Sequence, residues 1–162
     1  MKEDNDIFKK FRDSFSKIDG HFHILEQRVP VERQMEYFKY SEKIRKDQDK
    51  PDISKMDFSV FEDSLDDPES TVEHKKYVLS ILATSRQVKA YRILEEYAQA
   101  PDPDVADWAY MALMESRIAL ESELSDEKQI YISTGLGGKG EKLRFYVLIL
   151  ANELKPFLED QK

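Results

Sequence analysis

The sequence predicts a mainly α-helical fold, a short antiparallel array of helices that ends in a C-terminal β-hairpin. From residue 59 to residue 122, apolar residues recur at helical spacing in short stretches separated by proline and aspartate. Four of the five glycines then fall within residues 135–140, between two stretches rich in β-forming residues. Short helices joined by short breaks are typical of antiparallel neighbours, so we expect an array followed by a hairpin.

Length and composition fit one domain that spans residues 1–162. The chain is 40% hydrophobic and 36% charged, which is too apolar for a disordered chain and long enough for a core. No apolar stretch approaches the ~18–20 residues of a membrane span, and the charged start is unlike a signal peptide. We therefore expect a cytoplasmic protein without a membrane segment. The absence of cysteine excludes disulfides and thiolate metal sites.

Residues 1–50 are expected to form an N-terminal helical cap. Helical spacing of Ile7, Phe8, Phe11, Phe15 and Ile18 predicts a first helix over Asp4–Ile18, with Gly20 as its stop. A second helix is predicted from about Val31 to Asp47, led by Pro30. Its apolar residues form two stripes, so we expect contacts on two sides; the stripes are Val31, Met35 and Phe38, and Tyr37, Tyr40 and Ile44.

Four further helices are predicted between residues 59 and 122. The first ends at Asp66, and the second is capped by Ser70 or Thr71 and stops near Thr84. The third covers Gln87 to Gln99, and the last begins near Val105 after a break rich in aspartate and proline. The expected inward faces are Val60, Phe61 and Leu65; Tyr77, Val78, Ile81 and Leu82; Val88, Tyr91, Leu94 and Tyr97 or Ala98; and Val105, Trp108, Ala109, Ala112, Leu113, Ser116 and Leu120.

Residues 59–122 carry a distinctive motif: Ile81-Leu82-Ala83, Gln87-Val88-Lys89-Ala90 and Leu94, then Asp102-Pro103-Asp104-Val105 followed by Ala109, Ala112 and Leu113. This pattern resembles the HEAT-type helical repeat. Asp67-Pro68 and Asp102-Pro103 lie 35 residues apart, a plausible period for paired helices. The chain departs from the family at Ala106, where an arginine is usual, and at Trp108, where a small residue is common. The resemblance implies an α-α superhelix that acts as a scaffold for another protein.

After residue 126 the composition changes. Gln129 to Thr134 alternates like a strand, and Leu143 to Leu150 is an apolar, largely β-forming run. We therefore predict a glycine-rich β-hairpin over residues 129–151. The alternative is one helical face formed by Leu143, Val147, Leu150 and Leu154.

The loop between the two predicted strands carries the most specific motif of the chain. Residues 135–140 match G-x-G-x-x-G, but the strand and helix context of a dinucleotide or P-loop site is missing. One interpretation is a hairpin loop that needs positive φ angles. The other is an anion site made by backbone N–H groups and nearby cations, which would bind a phosphate of RNA or of a nucleotide. Its candidate residues are Gly135, Gly137, Gly138, Lys139, Gly140, Lys142 and Arg144.

Few other residues suggest chemistry. Trp108 is expected either in the core or as an aromatic anchor for a partner peptide. His21 and His23 would share one strand face, but with His74 they make only three histidines, so no metal site is expected. Met35, Met111 and Met114 are spaced like core residues. We find no nucleophile–base pair and expect no catalytic residues.

The expected function is a non-enzymatic protein–protein interaction module or adaptor without a cofactor, whose partner is another protein. The alternative is a phosphate-, nucleotide- or RNA-binding protein that uses the glycine-rich loop. The net charge of −8 argues against duplex DNA as the partner, because phosphate neutralisation normally needs a basic surface.

Overall fold

The computed structural model describes residues 20–140 and 142–147, which are mainly helical with a small amount of β-structure. The helices are α1 (Val31–Lys46), α2 (Ser59–Asp66), α3 (Val72–Thr84), α4 (Val88–Tyr97) and α5 (Ala106–Ser125). Short 3-10 turns cover Ile53–Lys55 and Pro103–Val105. The strands are β1 (His21–Ile24), β2 (Gln129–Ile132), β3 (Gly138–Lys139) and β4 (Lys142–Leu143). The helix predicted over Asp4–Ile18 lies outside the described residues.

Helices α3 and α5 form the centre of the core. Helix α3 packs against each of the other four helices, and α5 packs against α1, α3 and α4. Trp108 of α5 is buried, and its indole N–H donates to the Ser80 hydroxyl of α3 over 3.0 Å. The edges of its ring meet Tyr37 and Tyr40 of α1. The tryptophan therefore joins three helices and belongs to the core.

The predicted helix positions are largely confirmed. Helix α1 ends one residue before the predicted Asp47, and α2 ends at Asp66 as expected. Thr71 caps α3, because its hydroxyl accepts the N–H of His74. In α5, the predicted inward residues from Trp108 to Ser116 are buried except for Leu113, which is half-buried. Among the described residues, no helix is long and apolar enough to cross a bilayer.

In two helices, part of the predicted inward face is not in the core. Helix α1 buries Gln34, Tyr37, Ser41 and Ile44, whereas the stripe of Val31, Met35 and Phe38 stays half exposed. The prediction of Met35 as a core residue is therefore wrong. Helix α4 buries Ala90, Ile93 and Leu94, while Val88 is exposed. In α1 the buried face includes the polar residues Gln34 and Ser41, so apolar periodicity alone does not predict which face is buried.

The strands pair differently from the predicted hairpin. Strand β2 pairs in parallel with β1, with His21 opposite Gln129 and Ile24 opposite Ile132. The glycine-rich segment instead pairs with itself, because β3 and β4 form a two-residue antiparallel ladder. Residues 145–147 are not in a strand, and the rest of the second predicted strand lies outside the described residues. The two-strand sheet ties the start of the described chain to the end of α5.

The almost buried side chain of Lys75 forms an ion pair with Asp102 in the loop before α5. The Lys75 side chain is 5% exposed, and its Nζ lies 3.0 Å from Oδ2 of Asp102. The other oxygen of Asp102 accepts the N–H of Asp104 and caps the 3-10 turn. The hydrogen bond from Lys75, assisted by that N–H, holds the pKa of Asp102 below its ordinary value. The same contact raises the pKa of Lys75.

We expect Asp102→Asn to destabilise the fold in a pH-dependent way. Asparagine still caps the turn, so the substitution removes mainly the charge that faces Lys75. A carboxyl whose pKa is lowered by folding contributes stability above its unfolded pKa of about 3.9, and this contribution is lost as the pH falls through the folded pKa. Urea unfolding should therefore separate wild type from Asp102→Asn at pH 7, and the two should converge once the pH lies below the lowered folded pKa of Asp102. A difference that does not depend on pH would contradict the charge contribution.

Candidate functional site

A groove of about 870 Å³ lies along α1, from Gln34 to Arg45, and reaches the C-terminal end of α3. One wall is the face of α5 that carries Met111, Met114, Ile118 and Ala119. The opposite walls come from α1 and from residues 128–131 around β2. The core-forming residues of α5 end at Ser116, so its second half is free to line a cleft instead of a core. The groove is thus built on rigid helices and is mainly apolar.

The α1 wall continues out of the groove as an apolar surface. Phe38, which lines the groove, is 49% exposed. Met35 and Val31 follow on the same helix face and are 55% and 48% exposed. Val31, Met35 and Phe38 form one of the two apolar stripes that the sequence predicts for α1. Clustered exposed apolar side chains next to a cleft are typical of a surface that another chain covers.

A network of hydrogen bonds closes one side of the groove. Glu115 of α5 accepts the Tyr37 hydroxyl at 2.5 Å and the Ser41 hydroxyl at 2.6 and 2.7 Å. Arg45 lies 3.4 Å from the same carboxylate. Burial, together with the nearby Glu115 charge, raises the pKa of Tyr37 well above its ordinary value, so this hydroxyl remains a donor. The network joins α1 to α5 and fixes the width of the groove.

The rim of the groove carries charges of both signs with an excess of cations. Arg86 and Lys128 are exposed and have no acidic partner among the described residues. Glu123 is likewise exposed and unpaired there. Since Arg45 and Glu115 pair with each other, the unpaired rim charges are two cations and one carboxylate. In a chain with net charge −8 this rim favours an apolar ligand that also carries acidic groups.

Arg86 holds a backbone conformation that an arginine seldom adopts. Its φ is +56°, in the left-handed region just after the end of α3, where glycine is the usual residue. A side chain there costs about 1 kcal/mol of backbone strain. An arginine at this position therefore places a cation at the groove at the expense of stability.

We expect Arg86→Gly to stabilise the fold relative to Arg86→Ala. Both variants remove the guanidinium, but only glycine relieves the strain at positive φ. The difference should be roughly 0.5–1 kcal/mol in the free energy of unfolding, because the greater freedom of glycine in the unfolded chain offsets part of the gain. Urea unfolding of the two variants measures it. Equal stabilities would contradict strain at this position.

The glycine-rich loop lies against the segment that follows β1. Gly137 has a φ of +74°, and a Cβ added to it would come within 2.2 Å of the Glu26 carbonyl oxygen. Added to Gly138, a Cβ would come within 2.5 Å of the Ile24 side chain and of the Lys142 carbonyl oxygen. Gly135 also has a positive φ and contacts Val31. Close packing and positive φ angles therefore require glycine at these positions.

Four of the six backbone N–H groups of this loop have acceptors within the described chain. The N–H groups of Gly138 and Gly140 donate to the main-chain oxygen and the carboxylate of Glu26. Those of Gly135 and Leu136 donate to the hydroxyls of Ser133 and Thr134. The carboxylate of Glu26 therefore occupies a place where a bound anion would accept hydrogen bonds. The geometry favours the hairpin-loop interpretation over the anion site.

The structure places the three predicted cations of the loop at its surface. Lys139 and Lys142 are exposed and directly opposite each other in the β3–β4 pair. Arg144 donates from its side chain to the Leu136 carbonyl oxygen over 3.3 Å. None of these residues lines the groove. The predicted binding residues of the loop thus form a separate surface, and Trp108, the remaining predicted binding residue, is in the core.

The histidine pair is engaged within the sheet. His21 forms an ion pair with Glu127 when protonated. His23 lies 2.6 Å from the Gln129 side chain and stacks on Tyr131, with ring centroids 4.8 Å apart. Across residues 20–140 and 142–147, no three histidine or acidic side chains converge where they could hold a metal ion.

Comparison with protein-family models, with curated proteins and with solved structures finds no match to this chain. The role of the groove is therefore argued from its own shape, lining residues and charges. The sequence analysis did not predict the groove, although the apolar stripe of Val31, Met35 and Phe38 was a signal for it. Glu115, which lines the groove, and Ser41, which donates to it, have no sequence signal that distinguishes them from ordinary surface residues.

Proposed function

We propose that this chain is a protein-binding module whose binding surface is the groove between α1, α5 and β2. The observation that supports it best is the continuity of the apolar groove with the half-exposed stripe of Val31, Met35 and Phe38. A pocket for a small molecule would enclose its ligand, whereas this surface extends along a helix. The resemblance of residues 59–122 to HEAT-type repeats supports the same role, since such helical arrays present surfaces to other proteins.

The chemistry of the groove defines the partner. Ile118 and Ala119 are half-buried in its wall and Phe38 is half exposed beside them, so they offer contact to apolar side chains of a partner. The unpaired Arg86 and Lys128 at the rim attract carboxylates. The partner that fits is an amphipathic segment of another protein, with an apolar face and acidic residues beside it.

Phe38→Glu is expected to weaken partner binding at least about 10-fold, because it places a carboxylate in an apolar interface. Val60→Glu is the matched control: Val60 lies on α2, away from the groove, and is 51% exposed against 49% for Phe38. A photo-crosslinking amino acid at position 38 or 60 in the full chain, in cells of the source organism, identifies the bound protein. Its Kd is then measured for wild type and for both glutamate variants.

The result expected is a crosslinked protein at position 38 that is absent at position 60, with its Kd raised by Phe38→Glu alone. Both glutamate variants should keep the far-ultraviolet circular dichroism and melting temperature of the wild type within a few degrees. Equal effects of the two variants on the Kd, or crosslinking at position 60 alone, would contradict the proposal.

A further inference from the structure

We propose that the outer surface of the β3–β4 hairpin binds a single strand of nucleic acid, as a second function that is independent of the groove. The hairpin surface consists of four cationic and two aromatic side chains: Arg28, Lys139, Lys142, Arg144, Phe145 and Tyr146. All six are exposed, and none of them lines the groove. The site expected from the sequence was centred on backbone N–H groups, whereas here the side chains supply the contacts.

The geometry of the hairpin brings three of the cations to one face. Lys139 and Lys142 are directly opposite each other in the β3–β4 pair. The N–H of Arg144 donates to the Gly137 carbonyl oxygen over 3.2 Å, so the pairing continues past β4. Because side chains alternate along a strand, Lys142 and Arg144 share the face opposite to the half-buried Leu143. Like charges directly opposite each other destabilise a strand pair, and a bound polyanion would remove that repulsion.

The hairpin surface is cationic although the chain as a whole is acidic. Arg28 lies at the same loop, because a Cβ added to Gly137 would come within 3.1 Å of the Arg28 backbone N. Residues 26–28 and 135–147 contain four cations and two carboxylates, a net charge of +2 in a chain of net charge −8. No ion pair joins these four cations to an acidic side chain within the described residues. They are therefore available to phosphates.

Two aromatic rings beside these cations favour a nucleic acid over a simple anion. Phe145 and Tyr146 directly follow Arg144 and are 57% and 75% exposed. The bases of a single strand stack on such rings while neighbouring cations bind its phosphates. A duplex keeps its bases stacked on one another, so they would not meet the rings.

The charge distribution also favours a narrow ligand. A duplex or an anionic bilayer presents many charges to a wide area of the protein, and the net charge of −8 opposes both. A single strand can follow the hairpin surface alone, and salt screens its repulsion by acidic groups more than about 10 Å away. The ligand that fits is therefore a short stretch of single-stranded RNA or DNA.

Fluorescence anisotropy of the full chain with labelled oligonucleotides tests the proposal. The probes are an oligouridylate and an oligothymidylate of about eight nucleotides, which separate RNA from DNA. We expect the logarithm of the association constant to fall with the logarithm of the salt concentration with a slope of about −2. Three phosphate contacts on a single strand give this value, because each contributes about −0.7.

The lysine pair is tested against a matched pair on α1. Lys139→Gln with Lys142→Gln should raise the Kd about 10-fold or more and flatten the slope to about −0.7. Lys39→Gln with Lys43→Gln removes the same charge from two exposed lysines that have no acidic partner among the described residues. This second pair should leave the slope unchanged. Equal losses of affinity from the two pairs would overturn the proposal.

The aromatic contribution has its own control. Phe145→Ala should raise the Kd about 5-fold or more without changing the salt slope, because stacking involves no counterion. Phe38→Ala removes a ring of similar exposure, 49% against 57%, from the wall of the groove and should leave the Kd unchanged. Equal effects of the two variants would contradict stacking on the hairpin surface.

Two further results would overturn the proposal. One is the absence of binding to either oligonucleotide at about 50 mM salt, where electrostatic binding is strong. The other is binding to phosphatidylserine vesicles but to neither oligonucleotide, which would assign the hairpin surface to a membrane. No partner protein enters these measurements, so their failure would leave the protein-binding role of the groove standing.

Discussion

Replacing Glu115 by alanine is expected to lower the free energy of unfolding by about 3 kcal/mol. The carboxylate is the acceptor for two hydroxyls, those of Tyr37 and Ser41, and both residues are fully buried. A buried hydroxyl that loses its acceptor costs roughly 1–3 kcal/mol, since water does not replace the lost bond. The substitution also removes the ion pair with Arg45, which is half exposed and adds little.

Urea unfolding followed by circular dichroism measures this effect. Glu123→Ala is the control, because Glu123 lies on the same helix but is exposed and unpaired within the described chain, and we expect a change below about 0.5 kcal/mol. Glu115→Gln keeps one carbonyl oxygen as an acceptor. Its loss of unfolding free energy should therefore lie between those of Glu115→Ala and Glu123→Ala. If Glu115→Ala were no more destabilising than Glu123→Ala, the hydrogen-bond network would not stabilise the contact between α1 and α5.

The positions of the helices could be predicted because their signals are local. Thr71 caps α3, and the Asp102-Pro103 break precedes α5, where the sequence indicated them. The choice of the buried face was predictable only where one stripe was clearly more apolar, as in α5. In α1, the buried stripe includes Gln34 and Ser41, whose polar groups are satisfied by partners distant in sequence.

The partner of β2 depends on tertiary structure and could not be read from the sequence. β1 is four residues long and is separated from β2 by more than a hundred residues, whereas the glycine-rich turn after β2 suggested a local hairpin. The groove is bounded by β2, which lies beside the second half of α5, so its presence also depends on tertiary structure. The glycine-rich loop stood out in the sequence as a possible anion site. In the structure, its glycines are needed because the loop packs closely against residues 24–28.

Gly137→Ala is expected to destabilise the contact between the glycine-rich loop and the segment after β1 by about 3 kcal/mol. The new Cβ would lie 2.2 Å from the carbonyl oxygen of Glu26 and 3.1 Å from the N of Arg28, so two main-chain segments would have to move apart. Alanine also has to adopt a φ of +74°, which costs about 1 kcal/mol or more. The hydrogen bond from Gly138 to Glu26 would be lost with the movement.

Gly140→Ala separates these two causes. Gly140 has a φ of +59°, but no atom lies within 4 Å of an added Cβ, so this variant carries the backbone strain without the collision. We expect it to lose only about 1 kcal/mol. Hydrogen exchange of the Gly138 N–H, together with urea unfolding, should therefore show much faster exchange for Gly137→Ala than for Gly140→Ala. Equal exchange rates in the two variants would mean that the loop is not packed against Glu26, and its N–H groups would then be free to bind an anion.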